Sequence, residues 1–249
     1  MTTDRKNAII VGVLFILATV AALVGLKLCG PILSGQDVLL AGAEHRTQLL
    51  MGALSELILV GAAIGTAIML FPYLRKHNES LALGYVCFRF LEAVVITVGI
   101  VSVLSLLTLS QQFVAAAAPD VATFHASETV LLAVQDWTFR LGPGLILGIN
   151  TMMCSYLLLR TKLVPRPISV LGMTGATLIT SSGLLVLFGV IAQVSTLGLV
   201  LALPVAAYEM ILAGWLITKG FNVAALAARP VRTATSPTSV PPAVHAQPA

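Results

Sequence analysis

A chain of 249 residues that is 58% hydrophobic and only 10% charged is not a soluble globular protein, in which Asp, Glu, Lys and Arg make up about a quarter of all residues. Its apolar residues fall into six stretches, each near the about 20 residues that a helix needs to cross roughly 30 Å of hydrocarbon, and they leave no room for a separate soluble domain. The net charge of +4 sits on residues flanking those stretches, so it records membrane topology rather than nucleic-acid binding.

The expected fold is all-α, a polytopic six-helix bundle. A short N-terminal segment, 1–7, precedes spans near 8–28, 48–72, 81–109, 138–160, 168–192 and 196–218. Arg5 and Lys6 stand before the first apolar run as they would before a signal peptide. The run exceeds an h-region of about 7 to 15 residues and no small-residue cleavage site follows, so a retained helix is expected. In the second span Gly61 and Gly65, and in the fourth Gly144 and Gly148, place small residues four apart, a spacing that lets helix backbones approach and points to internal packing. Between the third and fourth spans, 121–137 mixes apolar residues with Glu128 and Asp136 and reads as an interfacial helix. A single helix from Thr129 to Arg160 would be too long to cross upright unless Gly142, Pro143 and Gly144 kinked it. Tyr73, Tyr85, Trp137 and Trp215 lie near span ends, where aromatic side chains anchor a protein at the interface. Beyond the six-span region, 8–222, the tail 223–249 carries Pro230, Pro237, Pro241, Pro242 and Pro248 and is expected to be disordered.

Orientation follows from the short loops, because Lys and Arg are retained on the cytoplasmic side. Arg5, Lys6, Arg75, Lys76, Arg160, Lys162, Arg166, Lys219, Arg229 and Arg232 all fall on one side of the six-span threading, against Lys27 and Arg46 on the other. Both termini are therefore expected in the cytoplasm.

The residues that oppose insertion are the candidate functional ones. A central Asp, Lys or Arg costs roughly 2.5 to 3.5 kcal/mol on insertion scales and needs a partner, water or a proton. Arg89 and Glu92, three residues apart, and Asp136 and Arg140, four apart, each share a helix face. By counting about 1.5 Å per residue, Arg89 and Glu92 lie roughly 12 to 17 Å deep and Glu209 about 13 Å deep from the same side. Arg89, Glu92 and Glu209 are thus expected to form a buried network. Glu56, about 12 Å from the opposite side, is expected at the level of Asp136 and Arg140, and Asn150 in the fourth span to hydrogen-bond between helices. Two uses stay open for these groups: an ion-pair network that fixes helix register, or a proton pathway.

Enzymatic chemistry has no candidate nucleophile, since no GxSxG elbow, Walker sequence or intramembrane Cys/His pair occurs. His45, His77, His125 and His245 fall in loops or the tail and cannot ligate a haem at membrane depth. Glu44, His45, His125 and Glu128 lack metal-ligand spacing and read as solvated loop charge. No cofactor or metal is expected.

Three stretches resemble a bacterial family of six-span membrane proteins catalogued as a domain of unknown function. They are the FRxxEA-like element Phe88 to Ala93, the run from Leu141 through Asn150 and Arg160 to Leu163-Val164-Pro165-Arg166, and Tyr208-Glu209 followed by Trp215-Leu216-Ile217 and Lys219-Gly220-Phe221. The resemblance implies an inner-membrane location and a shared framework that includes Arg89, Glu92 and Glu209, and no activity or catalytic residue. The expected protein is a non-enzymatic membrane bundle with a buried Arg/Glu network. A small-solute or proton-coupled transporter and an accessory or sensory subunit are the alternatives. Its partners are the lipid bilayer and a membrane protein or a second copy, not nucleic acid.

Overall fold

The computed structural model describes residues 2–192, 195–222 and 224–225. Helices α1 (Thr3–Leu33), α2 (Val38–Glu44), α3 (Arg46–Leu74), α4 (Glu79–Ala115) and α5 (Val121–Phe139) are followed by a π-helical segment, Arg140–Ile146, and by α6 (Leu147–Thr161), α7 (Arg166–Leu187) and α8 (Thr196–Thr218). No strand occurs among the described residues. With α5, the π segment and α6 joined into one rod, Val121–Thr161, six helices are long and apolar enough to cross a membrane. The protein is an all-α bundle of six transmembrane helices. The tail expected to be disordered lies, but for Ala224 and Ala225, outside the described residues.

Local chemistry sets where these helices begin. Thr2, Asn78, Asp120 and Ser195 each accept a hydrogen bond from a backbone N–H three residues on, satisfying a donor that the first turn leaves open. At Asp120 the Thr123 hydroxyl adds a second bond, and the two hold the carboxyl below its ordinary range. Within the spans, hydroxyls return to carbonyls one turn back, as Thr97 does to Ala93 and Thr177 to Met173, because lipid offers no other partner. At the end of α7, Gly189 adopts φ +72° and the N–H of Val190 reaches back to the Leu185 carbonyl. This left-handed glycine stop ends the helix at Leu187 rather than near residue 192.

The spans form a closed ring. Helix α1 packs on α3 and α8, α3 on α4, α4 on the rod, α6 on α7 and α7 on α8. Arg5 closes the ring electrostatically, donating from Nη1 to the Leu216 carbonyl at 3.1 Å and from Nη2 to those of Ile217 at 2.6 Å and Thr218 at 3.0 Å. A cation at a helix C-terminus satisfies open carbonyls and the helix dipole together. Arg5→Ala should therefore lower stability by about 1 to 2 kcal/mol, measurable as a fall in the thermal midpoint in detergent, with Arg5→Lys retaining part of it. These bonds also place the start of α1 and the end of α8 on one face, here termed the basal face.

Packing differs between the two halves. The basal half holds one continuous core to which all six spans contribute, including Phe15, Leu70, Tyr85, Leu157, Ile168 and Leu212. In the distal half the buried clusters are small and separate, one of α1, α3 and α4, one of α2, α4 and α5, and one of α3 and α4. Neither α7 nor α8 enters them.

Several expectations need correction. Residues 121–137 are not a separate interfacial helix, because α5 continues through the π segment into the fourth span and lies along α4, where Ser102 donates to the Leu131 carbonyl at 2.6 Å. The fourth span thus starts well before residue 138, and α4, of 37 residues, is long enough to pack along it. The short α2, seated on α4, has no counterpart in the apolar pattern. Tyr73 and Tyr85 are core residues rather than interfacial anchors, and the Tyr73 hydroxyl joins Asn7 and Asp4 of α1 at 2.9 and 2.8 Å. Gly144 and Gly148 do pack against α7, but a side chain at Gly61 would meet only open space, so of the first pair only Gly65 serves internal packing, against Leu14 of α1.

Candidate functional site

Arg89 and Glu92 occupy one face of α4 where it turns into the ring, and each is 4% exposed. Their side chains pair at 2.9 Å between Nη1 and Oε2. The same Glu92 oxygen accepts the Asn150 amide N–H from α6 at 2.7 Å, Arg89 Nη1 donates to the Asn150 carbonyl oxygen at 3.5 Å, and its Nε donates to the Ala63 carbonyl of α3 at 3.4 Å. Three helices are thus held by one buried ion pair, and Asn150 makes a polar link between helices. The i,i+3 spacing creates the pair; Asn150 and the Ala63 carbonyl, which also accepts the Thr66 hydroxyl at 2.7 Å, complete the hydrogen bonding that a buried charge requires.

Glu209 does not bond to Arg89, although counting residues puts them at one depth. It projects from α8 toward α1, where the Thr19 hydroxyl donates to its carboxylate at 3.2 Å. Glu56 of α3 faces Gly25 of α1, at a point where a Cβ on residue 25 would stand 2.9 Å from Glu56 Cγ. It has neither a hydrogen bond nor an ion pair among the described residues. Arg140 does not reach Glu56. It pairs with Asp136 one turn earlier on the rod and lies over the Trp137 ring at 5.1 Å. On the distal part of α5, His125 and Glu128 pair at 2.6 Å, and no group of three or more His, Cys, Asp or Glu converges among the described residues.

Arg89, Glu92, Glu209, Glu56 and Asp136 border a single cavity of about 620 Å³. Along α1 its lining runs from Ala18 to Ser34, roughly 24 Å at 1.5 Å per residue, and along the rod from Leu147 back to Leu132. The cavity therefore extends from the middle of the bundle, where Arg89, Glu92 and Glu209 form its floor, to the distal end beside Ser34, Gln135 and Asp136. It exists because α1 has its seams with α3 and α8 and no extensive seam with α5. On the basal side it stops at the continuous core. The π segment forms part of the wall through Pro143: a proline removes an N–H from the helix ladder, and the Leu147 N–H bonds instead to Gly142, five residues back. Such widened turns recur at functional sites.

Thr19 and the Ala63 carbonyl are the contributors that sequence reasoning missed. Thr19 carried a faint signal as a lone hydroxyl in the apolar middle of the first span, and a backbone carbonyl carries none.

Residues 10–220, which include or overlap all six spans and the whole cavity floor, match the family described as Domain of unknown function (DUF4386). The chain belongs to this family. Nothing in that description assigns DUF4386 an activity, and no curated protein and no solved structure matches the chain. The function of this DUF4386 bundle has to be argued from its own residues.

Proposed function

We propose that this DUF4386 protein is a non-enzymatic membrane protein that binds a small solute in the distal cavity, with the Arg89–Glu92–Asn150 network as a fixed floor. The observation that carries this reading is that five of the six ionisable residues singled out by their cost of insertion border one cavity. A network serving register alone needs no space around it, and protein interiors are otherwise close-packed. The volume, about 620 Å³, falls within the roughly 300 to 1,000 Å³ of small-molecule sites. The basal face, with eight Lys and Arg among the described residues against two distal ones, is proposed to be cytoplasmic in a bacterial inner membrane, so that the cavity opens outward.

A second reading, small-solute transport, is favoured by one feature. The cavity reaches mid-membrane from one face and is sealed from the other by a core drawn from every span, as one state of an alternating-access protein would be.

Ala22→Trp tests the binding reading by filling the cavity from α1 without replacing a charged group. A solute present at about 100 times its Kd should stabilise the unmodified protein by about 2.7 kcal/mol, read as a raised thermal midpoint in detergent. The same solute should leave Ala22→Trp unshifted. A shift of equal size in both proteins would place binding elsewhere, and no shift across a broad panel of cations, anions and neutral solutes would contradict the reading.

A further inference from the structure

The charges around the cavity do not balance. Arg89 is matched by Glu92 and Asp136 by Arg140, which leaves Glu56 and Glu209. Among the described residues no Lys or His borders the cavity, and Arg89 is the one Arg that does. Among the described residues the Thr19 hydroxyl is the one hydrogen-bond donor to Glu209, and Arg89, already paired with Glu92, acts on it only through space. Thr19 and Gly25, which mark the heights of Glu209 and Glu56 on α1, are six residues apart, about 9 Å along the helix axis. Much of the remaining wall is apolar, with Leu23, Leu26, Leu59, Ile96, Leu132 and Leu147.

On the reading that the cavity is a solute site, we infer that its ligand is a small organic cation with an apolar body, the positive centre held by Glu56 and Glu209 and the body by the leucine walls. An anion would meet uncompensated carboxylates away from bulk water, where like charge repels strongly. A neutral solute would draw nothing from the charge of either carboxylate. A bare divalent cation is also a poor fit: calcium takes 6 to 8 oxygens at about 2.3 to 2.6 Å, and two carboxylates about 9 Å apart in height cannot share one ion. A delocalised or alkylated cation needs no such shell and gains from apolar contact.

The experiment uses the full chain in a neutral detergent with two probes of nearly the same shape and opposite charge, tetraphenylphosphonium and tetraphenylborate, titrated calorimetrically. Tetraphenylphosphonium should bind at least about tenfold more tightly than tetraphenylborate, Glu56→Gln and Glu209→Gln should each weaken it about tenfold, and Glu209→Asp should keep most of the affinity. Ala22→Trp should abolish it. Equal binding of the two probes, or unchanged affinity in the Glu56→Gln/Glu209→Gln double variant, would overturn the assignment of a cation. If a neutral solute binds in an Ala22→Trp-sensitive way while tetraphenylphosphonium does not, the cation assignment falls and the solute site stands. If nothing binds in that way, both fall.

Discussion

Arg89→Met should destabilise the protein by about 3 to 5 kcal/mol, the usual consequence of removing one member of a buried ion pair. Glu92 would be left 4% exposed with the Asn150 amide as its one remaining hydrogen-bond donor among the described residues. The double variant Arg89→Met/Glu92→Leu should recover most of the loss, because apolar residues of similar volume replace such pairs at little cost. A residual deficit of about 1 to 2 kcal/mol is expected from the stranded Asn150 amide. Glu209→Gln should rescue Arg89→Met less than Glu92→Leu does, since Glu209 is hydrogen-bonded to Thr19 and meets Arg89 and Glu92 only through space. Thermal unfolding in detergent reads all three, and rescue by Glu209→Gln rather than by Glu92→Leu would contradict the geometry described here.

Gly175→Val is the second large effect. A Cβ at residue 175 would stand 2.7 Å from the Val205 nitrogen and 2.9 Å from the Pro204 carbonyl carbon. These are backbone atoms of α8, so no side chain can swing away to make room. The seam between α7 and α8 would have to part, at about 3 kcal/mol or more, and the folded yield should drop sharply. Gly214→Ala on α8, whose added Cβ would meet nothing within 4 Å, should stay within about 0.5 kcal/mol of the parent. Near-normal stability of Gly175→Val would show that α7 and α8 are not packed in this way.

The six spans were legible because length and hydropathy act along one chain and need no knowledge of neighbours. The sequence placed the ends of the sixth span at residues 196 and 218, where α8 begins and ends. The charged residues were legible in kind and in height but not in azimuth. Counting residues put Glu209 level with Arg89, yet the ring seats α8 between α1 and α7, so the nearest donor is Thr19. Glu56 and Arg140 failed to meet for a related reason: α4 stands between α3 and the rod, and Arg140 folds back to Asp136 on its own helix. Tyr85 seemed interfacial because the third span was started at residue 81; α4 begins at Glu79 and its basal turns lie within the common core. The cavity had no signal of its own, being the space left where α1 and α5 do not close.

Such an open, one-sided cavity is the centre of the account, and thiol accessibility measures it directly. Two single-cysteine proteins are compared in intact cells, one with Ala22→Cys after removal of Cys29, Cys87 and Cys154, the other retaining Cys154 alone. A membrane-impermeant cationic methanethiosulfonate added from outside should modify Ala22→Cys, which borders the cavity, and leave Cys154, buried in the sealing core, untouched. Protection of Ala22→Cys, or equal modification of both positions, would contradict a cavity that opens outward and ends at mid-membrane.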